Sequence, residues 1–358
     1  MEQNLNYYVL RIIFKYLNGQ DLSNASQVCK SWLETAVDEK KRRGPSSNTK
    51  SKKEIKSYEN WEDVKKETIE YFTLKPILCM FFTYAVKKDT HLQRCHCKYL
   101  PHNCYSVSVN TDSFLSEEEF LVSMCFPKLQ NIQISTFTFN RHPWTMGIYC
   151  EELKTLFDNS FNNAEKLRTT IEGLFVNDCN NTTSCWIILC KIFYGPCIGF
   201  DLVEHFYKWF PHKRIFVCGG IINHISVCNS EHNSRICRDQ AECVAILISG
   251  TEMQIWTVSL DEMNDDVQSF EDKIEDIKQI VELKKHSIIF MFISEYCTTS
   301  LNNLELTVFE YFPRVPIVKY ICHGAFGGEN LDGLYIFKKK KKKKKKDKKN
   351  NILIYRYL

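Results

Sequence analysis

Between residues 5 and 37 the chain carries more large apolar side chains than three short helices can bury among themselves. Leu10, Ile13, Phe14 and Leu17 recur at the three- and four-residue spacing of one helix face. Each large side chain left in water forgoes roughly 1.5–3 kcal/mol of burial free energy. The pattern therefore predicts a small helical module whose remaining apolar face is covered by a partner.

The ends of these helices are marked by turn and capping residues. Asn18-Gly19 is expected to end the first helix, because glycine tolerates the left-handed backbone of a helix C-terminus. Asp21 is expected to be the N-cap of the second helix. The apolar spacing continues through a third helical segment. The inner faces of the second and third helices are expected to comprise Leu22, Ala25, Val28, Cys29, Trp32, Leu33 and Ala36.

The order of residues in this module resembles the F-box. A leucine, a helix ending in Ile-Phe-Lys-Tyr-Leu, a turn, Asp-Leu and then Ala-Ser-Gln-Val-Cys-Lys-Ser-Trp follow one another. Asn6 is a departure, because most F-boxes have proline there, and its loss weakens the pre-organisation of the first helix. The resemblance implies docking on a Skp-type adaptor, and through it on a cullin and a RING protein, by Leu5, Leu10, Ile13, Phe14, Leu17, Leu22, Val28, Cys29 and Trp32. An ordinary helical cap on the following domain is the alternative.

The F-box is expected to cover residues 1–40, and a flexible basic linker to cover residues 41–70. The stretch from Glu39 to Lys56 is polar and basic and is broken by Gly-Pro-Ser-Ser, a composition typical of linkers. The basic run Lys40–Arg43 could also serve as a nuclear-import signal. The expected location is therefore the cytoplasm, with the nucleus as an alternative that depends on this run.

From about residue 74 the pattern becomes that of an α/β region. Buried strands are expected at 76–85 and 186–193, and a strand with near period-two alternation at 132–139. A hairpin is expected at 241–260 around Gly250-Thr251-Glu252, and further strands at 287–293 and 315–321. An amphipathic helix is expected from Val267 to Val281 and a short helix at 304–312. The fold class is thus α+β, with mixed sheets that carry packed helices.

This region resembles the FIST domain. The resemblance lies in Cys218-Gly219-Gly220 after a strand, in the run from Glu310 to Cys322-His-Gly-Ala-Phe-Gly-Gly-Glu329, and in the segment 126–139. It implies a substrate receptor of a cullin-RING ubiquitin ligase, with an N-terminal FIST-like part at 71–195 and a C-terminal part at 196–337 that bind the protein to be ubiquitinated and degraded. The glycine set is either a ligand or substrate pocket or, as we favour, a group of tight strand-to-helix turns, and comprises Gly219, Gly220, Cys322, Gly324, Gly327 and Gly328.

The C-terminal tail, 338–358, departs from that pattern because it opens with nine consecutive lysines. Adjacent positive charges repel one another and do not fit into a sheet. Residues 351–358 are either a last strand beyond a lysine loop or sequence unrelated to the fold, and the sequence favours the second. The lysines could attract nucleic acid or acidic membrane only without specificity, so no specific nucleic acid and no membrane is expected as a partner.

No residue pattern supports catalysis. The chain has 17 cysteines, but none stands in the signature of a nucleophile. Cys95, His96, Cys97, His102 and Cys104 could form a zinc site, although their spacing is not that of the usual ligand pairs, and reduced cysteines in a loop are the favoured interpretation. No cofactor is expected, since the chain lacks nucleotide-binding glycine motifs.

With 44% apolar residues and a net charge of +4, the chain can build a real core and has little overall attraction for polyanions. No signal peptide or membrane helix is expected. The two resemblances imply a non-catalytic ubiquitin-ligase receptor, which we favour. The alternatives are a small-ligand-binding sensor that keeps only a vestigial F-box, which the missing proline motivates, and an enzyme or zinc protein centred on the cluster from Cys95 to Cys104.

Overall fold

The structure, a computed structural model, describes residues 6–51, 72, 74–84, 100–101, 103–111, 119–129, 131–141, 148–150, 168–169, 171–173, 183–192, 195–211, 213–229, 236–238, 241–251, 253–261, 267–281, 286–294, 301–313, 315–329 and 349–356. Three helices within residues 7–42 are followed by mixed sheets with helices packed on them. The predicted α+β class is confirmed.

The helices and strands of the described residues are as follows. The helices are α1 (Tyr7–Phe14), α2 (Gly19–Ala25), α3 (Lys30–Arg42), α4 (Gly195–Trp209), α5 (Val267–Ile280) and α6 (Leu301–Tyr311). The strands are β1 (Ser46–Ser51), β2 (Pro76–Tyr84), β3 (Tyr105–Thr111), β4 (Glu119–Pro127), β5 (Ile132–Arg141), β6 (Ile148–Cys150), β7 (Thr183–Lys191), β8 (Ile215–Ile222), β9 (His224–Asn229), β10 (Ile236–Arg238), β11 (Cys243–Gly250), β12 (Gln254–Asp261), β13 (Ile288–Ser294), β14 (Ile317–Cys322), β15 (Gly324–Glu329) and β16 (Lys349–Arg356).

The N-terminal module, α1 to α3, has a small core of its own. Leu10 and Phe14 from α1 pack against Leu22 and Ala25 from α2 and Ala36 from α3, and all five side chains are almost completely buried. The ring of Trp32 packs edge-on against Phe14, with 5.3 Å between the ring centroids. This core holds the helices together while much of their remaining apolar surface faces outward.

Two asparagines cap the first two helices of the module. The Asn6 side chain accepts a hydrogen bond from the Tyr8 N–H at 3.0 Å, so the residue that replaces the expected proline supplies an N-cap instead. Asn18 accepts from the Asp21 N–H at 2.8 Å and caps α2. The prediction that Asp21 is the N-cap was wrong, because α2 begins earlier and places Asp21 in its first turn, where a carboxylate suits the helix dipole.

Residues 41–51, predicted to belong to a flexible linker, instead form secondary structure. Helix α3 extends to Arg42, and β1 starts at Ser46 and pairs antiparallel with β4, Ser46 opposite Cys125. The sequence Ser-Ser-Asn-Thr-Lys-Ser has no apolar alternation, because β1 is an edge strand held by backbone hydrogen bonds. The rest of the predicted linker, residues 52–70, lies outside the described residues.

The strands form three sheets. Their strand orders are β1-β4-β2-β3-β9-β10, β15-β8-β7-β11-β5-β6 and β12-β16-β13-β14. Parallel pairs such as β2 with β3, β7 with β8 and β13 with β14 occur beside antiparallel pairs, so all three sheets are mixed. The predicted strands at 76–85, 132–139, 186–193, 287–293 and 315–321 and both predicted helices are present within a few residues.

The predicted hairpin at 241–260 is wrong, although both of its strands exist. Strand β11 lies between β7 and β5 in the second sheet, whereas β12 pairs with β16 in the third. Every position of β11 is buried, which a strand achieves only when it is paired on both edges and covered on both faces. The turn at Thr251 therefore passes the chain from one sheet to the next.

The continuous apolar runs are explained by cores on both faces of the sheets. In β2, Leu78 and Met80 face the main core, which all three sheets share, while Cys79 and Phe81 face a smaller cluster on the other side. In β7 the same alternation places Trp186 in a second apolar core on the opposite face of the sheet. There its ring stacks on Phe206 of α4, with 4.0 Å between the ring centroids. A strand that is buried on both faces shows no polar alternation.

The tail also corrects a prediction. Residues 351–358 were favoured as sequence unrelated to the fold, but residues 349–356 form β16, which lies between β12 and β13 and pairs antiparallel with both. The segment Asn-Ile-Leu-Ile-Tyr-Arg has the β-branched and apolar composition of a strand. The lysine run itself lies outside the described residues.

In the parts of the chain that the structure describes, no helix is both long and apolar enough to cross a membrane.

Candidate functional site

The most prominent surface feature is a concentration of exposed apolar side chains on the N-terminal module. Of the eleven large apolar residues that are exposed in the described part of the chain, eight lie between Tyr8 and Val37. Tyr16 is 85% exposed, Val28 62% and Ile13 43%. Scattered exposed apolar residues need no explanation, but a concentration in so short a segment indicates a binding surface.

The exposed apolar surface is defined here as Tyr8, Val9, Ile12, Ile13, Tyr16, Val28 and Leu33. On α1 its members recur every four residues on the side away from Leu10 and Phe14, so the helix is apolar on both sides. A helix that is apolar all round is normally buried, and this one needs a second partner besides its own module.

Arg43, which directly follows α3, pairs with Glu39 of that helix and links it to α1 behind this surface. The Arg43 side chain lies 3.1 Å from the Glu39 carboxylate, and both side chains are less than a tenth exposed. A second guanidinium nitrogen of Arg43 donates to the Phe14 carbonyl at 2.6 Å, which also accepts from the Leu17 N–H at 3.3 Å at the C-terminal end of α1. At the other end of α1, the Tyr7 hydroxyl donates to Asp38 at 2.6 Å, and this hydrogen bond raises the pKa of Tyr7.

Comparison with known proteins assigns this module. Residues 8–41 match the F-box-like family. F-box/SPRY domain-containing protein 1 of Drosophila erecta is 59% identical over 34 residues. That match covers 10% of this chain and 13% of the relative, so it relates the F-box-like domain alone and not the sheets.

A likeness among solved structures is much weaker. The crystal structure of cyanuric acid hydrolase from A. caulinodans is 7% identical to this chain, with 88% of this chain and 100% of that chain covered. The TM-score of 0.34 is too low for this likeness to support a fold family or an activity.

The predicted docking residues divide into three groups within the F-box-like domain. Leu10, Phe14 and Leu22 lie in its own core, Leu17 and Trp32 are partly buried against that core, and Ile13, Val28 and Cys29 are exposed. Leu5 lies outside the described residues. Five members of the exposed apolar surface were not among the predicted docking residues: Tyr8, Val9, Ile12, Tyr16 and Leu33. The second apolar face of α1 is the signal for Tyr8, Val9 and Ile12. Leu33 lies on α3, and its predicted place on the inner face of that helix was wrong, because it is 46% exposed.

Asn6 bears on the idea of a vestigial F-box. That idea rested on the missing proline, which would leave the first helix less well organised. Because the Asn6 side chain caps α1, the helix N-terminus is stabilised by another route. The missing proline therefore no longer favours the ligand-sensor function.

The predicted glycine set comes together on neighbouring strands. Gly219 and Gly220 lie within β8, and β15, which contains the other three glycines, pairs with it antiparallel so that Gly327 stands opposite Cys218. The favoured interpretation as strand-to-helix turns was wrong, because all five glycines are ladder residues: Gly219, Gly220, Gly324, Gly327 and Gly328. Cys322 ends β14, and its thiol lies 3.4 Å from the Ile293 carbonyl.

Close packing explains the two glycines of β8. A β-carbon at Gly219 would lie 1.7 Å from the Ile188 carbonyl oxygen of the neighbouring β7. One at Gly220 would lie 2.6 Å from the Cys322 sulfur. The ladder accommodates neither side chain, so packing alone requires these glycines. The alternative role of the set in a ligand or substrate pocket stays a prediction.

Of the predicted zinc ligands, the structure describes Cys104. Its sulfur lies 3.8 Å from that of Cys79, which is 3.0 Å from that of Cys125, and all three are buried in an apolar cluster. Burial raises the thiol pKa of Cys79 and Cys125, which disfavours the thiolate that metals bind. Among the described residues no group of three or more histidine, cysteine, aspartate or glutamate side chains is arranged to hold a metal ion. Cys95, His96, Cys97 and His102 lie outside them.

Proposed function

We propose that this protein is a substrate receptor of a cullin-RING ubiquitin ligase and that its F-box-like domain docks a Skp-type adaptor. The observation that carries the proposal is the exposed apolar surface on residues that match the F-box-like family. A stable protein–protein interface buries on the order of 1,600 Å² in total, with apolar and aromatic anchors at its centre. A row of exposed isoleucine, valine and tyrosine side chains supplies such anchors.

Within this proposal the residues have two roles. Ile13, Val28 and the other exposed members contact the adaptor directly. Leu10, Phe14 and Leu22 act indirectly, because they hold the helices in the arrangement that presents those side chains. The receptor supplies no reacting group, since a cullin ligase transfers ubiquitin by holding the target close to a charged conjugating enzyme.

The sheets bind the protein that is to be ubiquitinated and degraded. Their sequence resembles the FIST domain, and the combination with an F-box resembles F-box only protein twenty-two. What supports this finer assignment is the glycine-rich pair β8 and β15, which carries the motifs on which the resemblance rests. Entry into the nucleus through the basic run at Lys40–Arg43 is a further part of the proposal, although the burial of Arg43 leaves three accessible cations there.

The test measures the affinity of the purified full chain for a Skp-type adaptor. Ile13→Asp and Val28→Asp place a charge on the exposed apolar surface without touching the core of the domain. Ile280→Asp is the matched control, because Ile280 is 70% exposed on α5, in a different part of the fold. Truncated or charged anchors at an interface centre cost about 2 kcal/mol or more, which is roughly thirtyfold in affinity.

We expect both F-box-like variants to lose affinity by at least about tenfold and the control to bind like the wild type. Trp32→Ala is a weaker test, since Trp32 packs on Phe14 and its loss also loosens the domain. If folded wild-type protein does not bind the adaptor, or if both charged variants bind as tightly as the control, the docking proposal is wrong.

A further inference from the structure

A cleft of about 630 Å³ lies between the F-box-like domain and the sheets. Helix α3 contributes Val37, Lys40 and Lys41, and the sheet side contributes Lys75, just before β2, and Lys128, just after β4. The last two are neighbours because β2 and β4 pair antiparallel at this end. The volume falls within the range of pockets that hold a small ligand or part of a chain.

The described lining of the cleft carries a net positive charge. Among the described residues it includes four lysines and no aspartate or glutamate, and none of these lysines forms an ion pair with a described carboxylate. The two acidic residues next to Lys40 on α3 are already engaged, Asp38 by the Tyr7 hydroxyl and Glu39 by Arg43. Like charges held this close repel one another, and an anionic ligand would relieve that repulsion.

The same cleft also offers apolar contacts. Leu129 and Ile132 are half-buried and pack against the main core, and Leu74 is half-buried beside them. Val37 is 39% exposed on the α3 side. Apolar side chains beneath exposed lysines suit a ligand that combines carboxylates with apolar groups. Among the described lining residues His286 is the one aromatic side chain, and no phenylalanine, tyrosine or tryptophan offers a platform on which nucleic acid bases could stack.

We propose that this cleft binds an acidic segment of a partner protein, with carboxylates on the four lysines and apolar side chains on Leu74 and Leu129. The segment belongs to the target of the ligase, and in that respect the inference rests on the proposed function. Binding of the segment itself depends only on the cleft. The site lies on the inner side of the F-box-like domain, on residues distinct from the exposed apolar surface, so target and adaptor can be held together.

The test uses fluorescence anisotropy with the full chain and a short labelled peptide of glutamate, leucine and serine. In the double variant Lys40→Glu/Lys128→Glu, one lysine from each side of the cleft is reversed. Lys208→Glu/Lys278→Glu is the matched control, because both residues are exposed lysines on other helices, α4 and α5. All proteins keep the lysine-rich tail, so its contribution to peptide binding is common to every measurement.

We expect the cleft variant to bind at least about tenfold more weakly than the wild type, since two favourable charge contacts become repulsive. The control is expected to bind like the wild type. Added salt should weaken the wild-type complex, because exposed charges are screened beyond about 10 Å at 0.1 M ionic strength. A peptide carrying a photoreactive leucine analogue should cross-link to residues 74–75 and 127–132.

Three results would overturn the inference. The first is equal loss, or equal retention, of affinity in the cleft and control variants. The second is cross-linking confined to residues 338–349. The third is tighter binding of oligothymidylate or of phosphatidylserine vesicles than of the peptide, with the same dependence on Lys40 and Lys128, which would assign the cleft to another class of ligand.

Adaptor binding by the same variants separates this inference from the proposed function. Lys40 and Lys128 do not belong to the exposed apolar surface, so adaptor affinity should be unchanged in the cleft variant. Loss of peptide binding with intact adaptor binding supports both proposals. Peptide binding through the cleft without any adaptor binding would refute the ligase function and leave the acidic-segment site standing.

Discussion

Replacing Arg43 by methionine should loosen the F-box-like domain far more than a surface substitution would. The Arg43 guanidinium lies 3.1 Å from the Glu39 carboxylate and donates to the Phe14 carbonyl at 2.6 Å. The side chains of Arg43 and Glu39 are both less than a tenth exposed. Removing one partner of a buried ion pair leaves the other charge without compensation, which costs roughly 3–5 kcal/mol. The substitution therefore acts on the contact that joins α1 to α3.

The double variant Arg43→Met/Glu39→Leu separates the charge from the hydrogen bond. With both charges gone, neither member of the ion pair is left uncompensated, and the Phe14 carbonyl loses the Arg43 donor. Because the Leu17 N–H still donates to this carbonyl at 3.3 Å, the loss is that of one hydrogen bond, which costs roughly 0.5–1.5 kcal/mol. The second substitution should therefore restore part of the stability lost in the single variant, although it removes a further side chain.

Hydrogen exchange read by mass spectrometry measures this effect locally, because it reports the opening of α1 and α3 independently of the sheets. A loss of 3–5 kcal/mol corresponds to exchange that is faster by roughly 10²- to 4 × 10³-fold, up to the limit set by the stability of the domain. Peptides from α5 serve as the internal reference. An acceleration below about tenfold, or a double variant that exchanges as fast as the single one, would refute the reasoning.

Three further predictions test other parts of the structure. Gly219→Ala should lower the melting temperature sharply or prevent folding, since its β-carbon would overlap the Ile188 carbonyl, whereas Gly173→Ala, with nothing within 4 Å, should not. Removing residues 349–358 should lower the melting temperature, because β16 supplies the pairing between β12 and β13, and an unchanged melting curve would contradict that pairing. A glycine-serine insertion after Gly44 should weaken acidic-peptide binding by separating the two sides of the cleft, while the same insertion after Pro211, in the exposed turn between α4 and β8, should leave it unchanged.

The parts of the fold that could be predicted are those whose signal is local. Strands β2, β7 and β13 are continuous apolar runs because cores lie on both of their faces, and such runs are visible in the sequence. Helix α5 shows an apolar stripe that ends at Val281, and its Ile274 is completely buried. In each case the pattern within one segment is enough to identify the element.

The parts that could not be predicted depend on pairing between distant segments. The strands β11 and β12 look like a hairpin because a short glycine-containing link joins them, yet each finds its partners elsewhere in the chain. Strand β1 is polar and owes its existence to the edge of β4, and β16 fills a place between strands that are far away in sequence. The sequence of one segment does not show which distant strand it pairs with, or in what register.

The candidate site was predicted only in part for a related reason. The spacing of Leu10, Ile13, Phe14 and Leu17 identifies a helix but not which apolar side faces the domain core. The structure turns Leu10 and Phe14 inward and leaves Ile13 exposed, and the cleft lysines are brought together only by the packing of α3 beside β2 and β4. Charges that converge from separate elements are not recognisable along the chain.

The ordered attachment of the F-box-like domain matters for the proposed function. Helix α3 ends at Arg42 and β1 begins at Ser46, so the chain passes directly from the domain into the first sheet. The Gly19 N–H also donates to the Phe72 carbonyl at 2.9 Å, which ties α2 to the same side of the fold. A ligase receptor acts by positioning, and the effective concentration that it creates falls as a flexible connection lengthens. A target held in the cleft would thus lie at a fixed distance from the adaptor, which the predicted linker could not have provided.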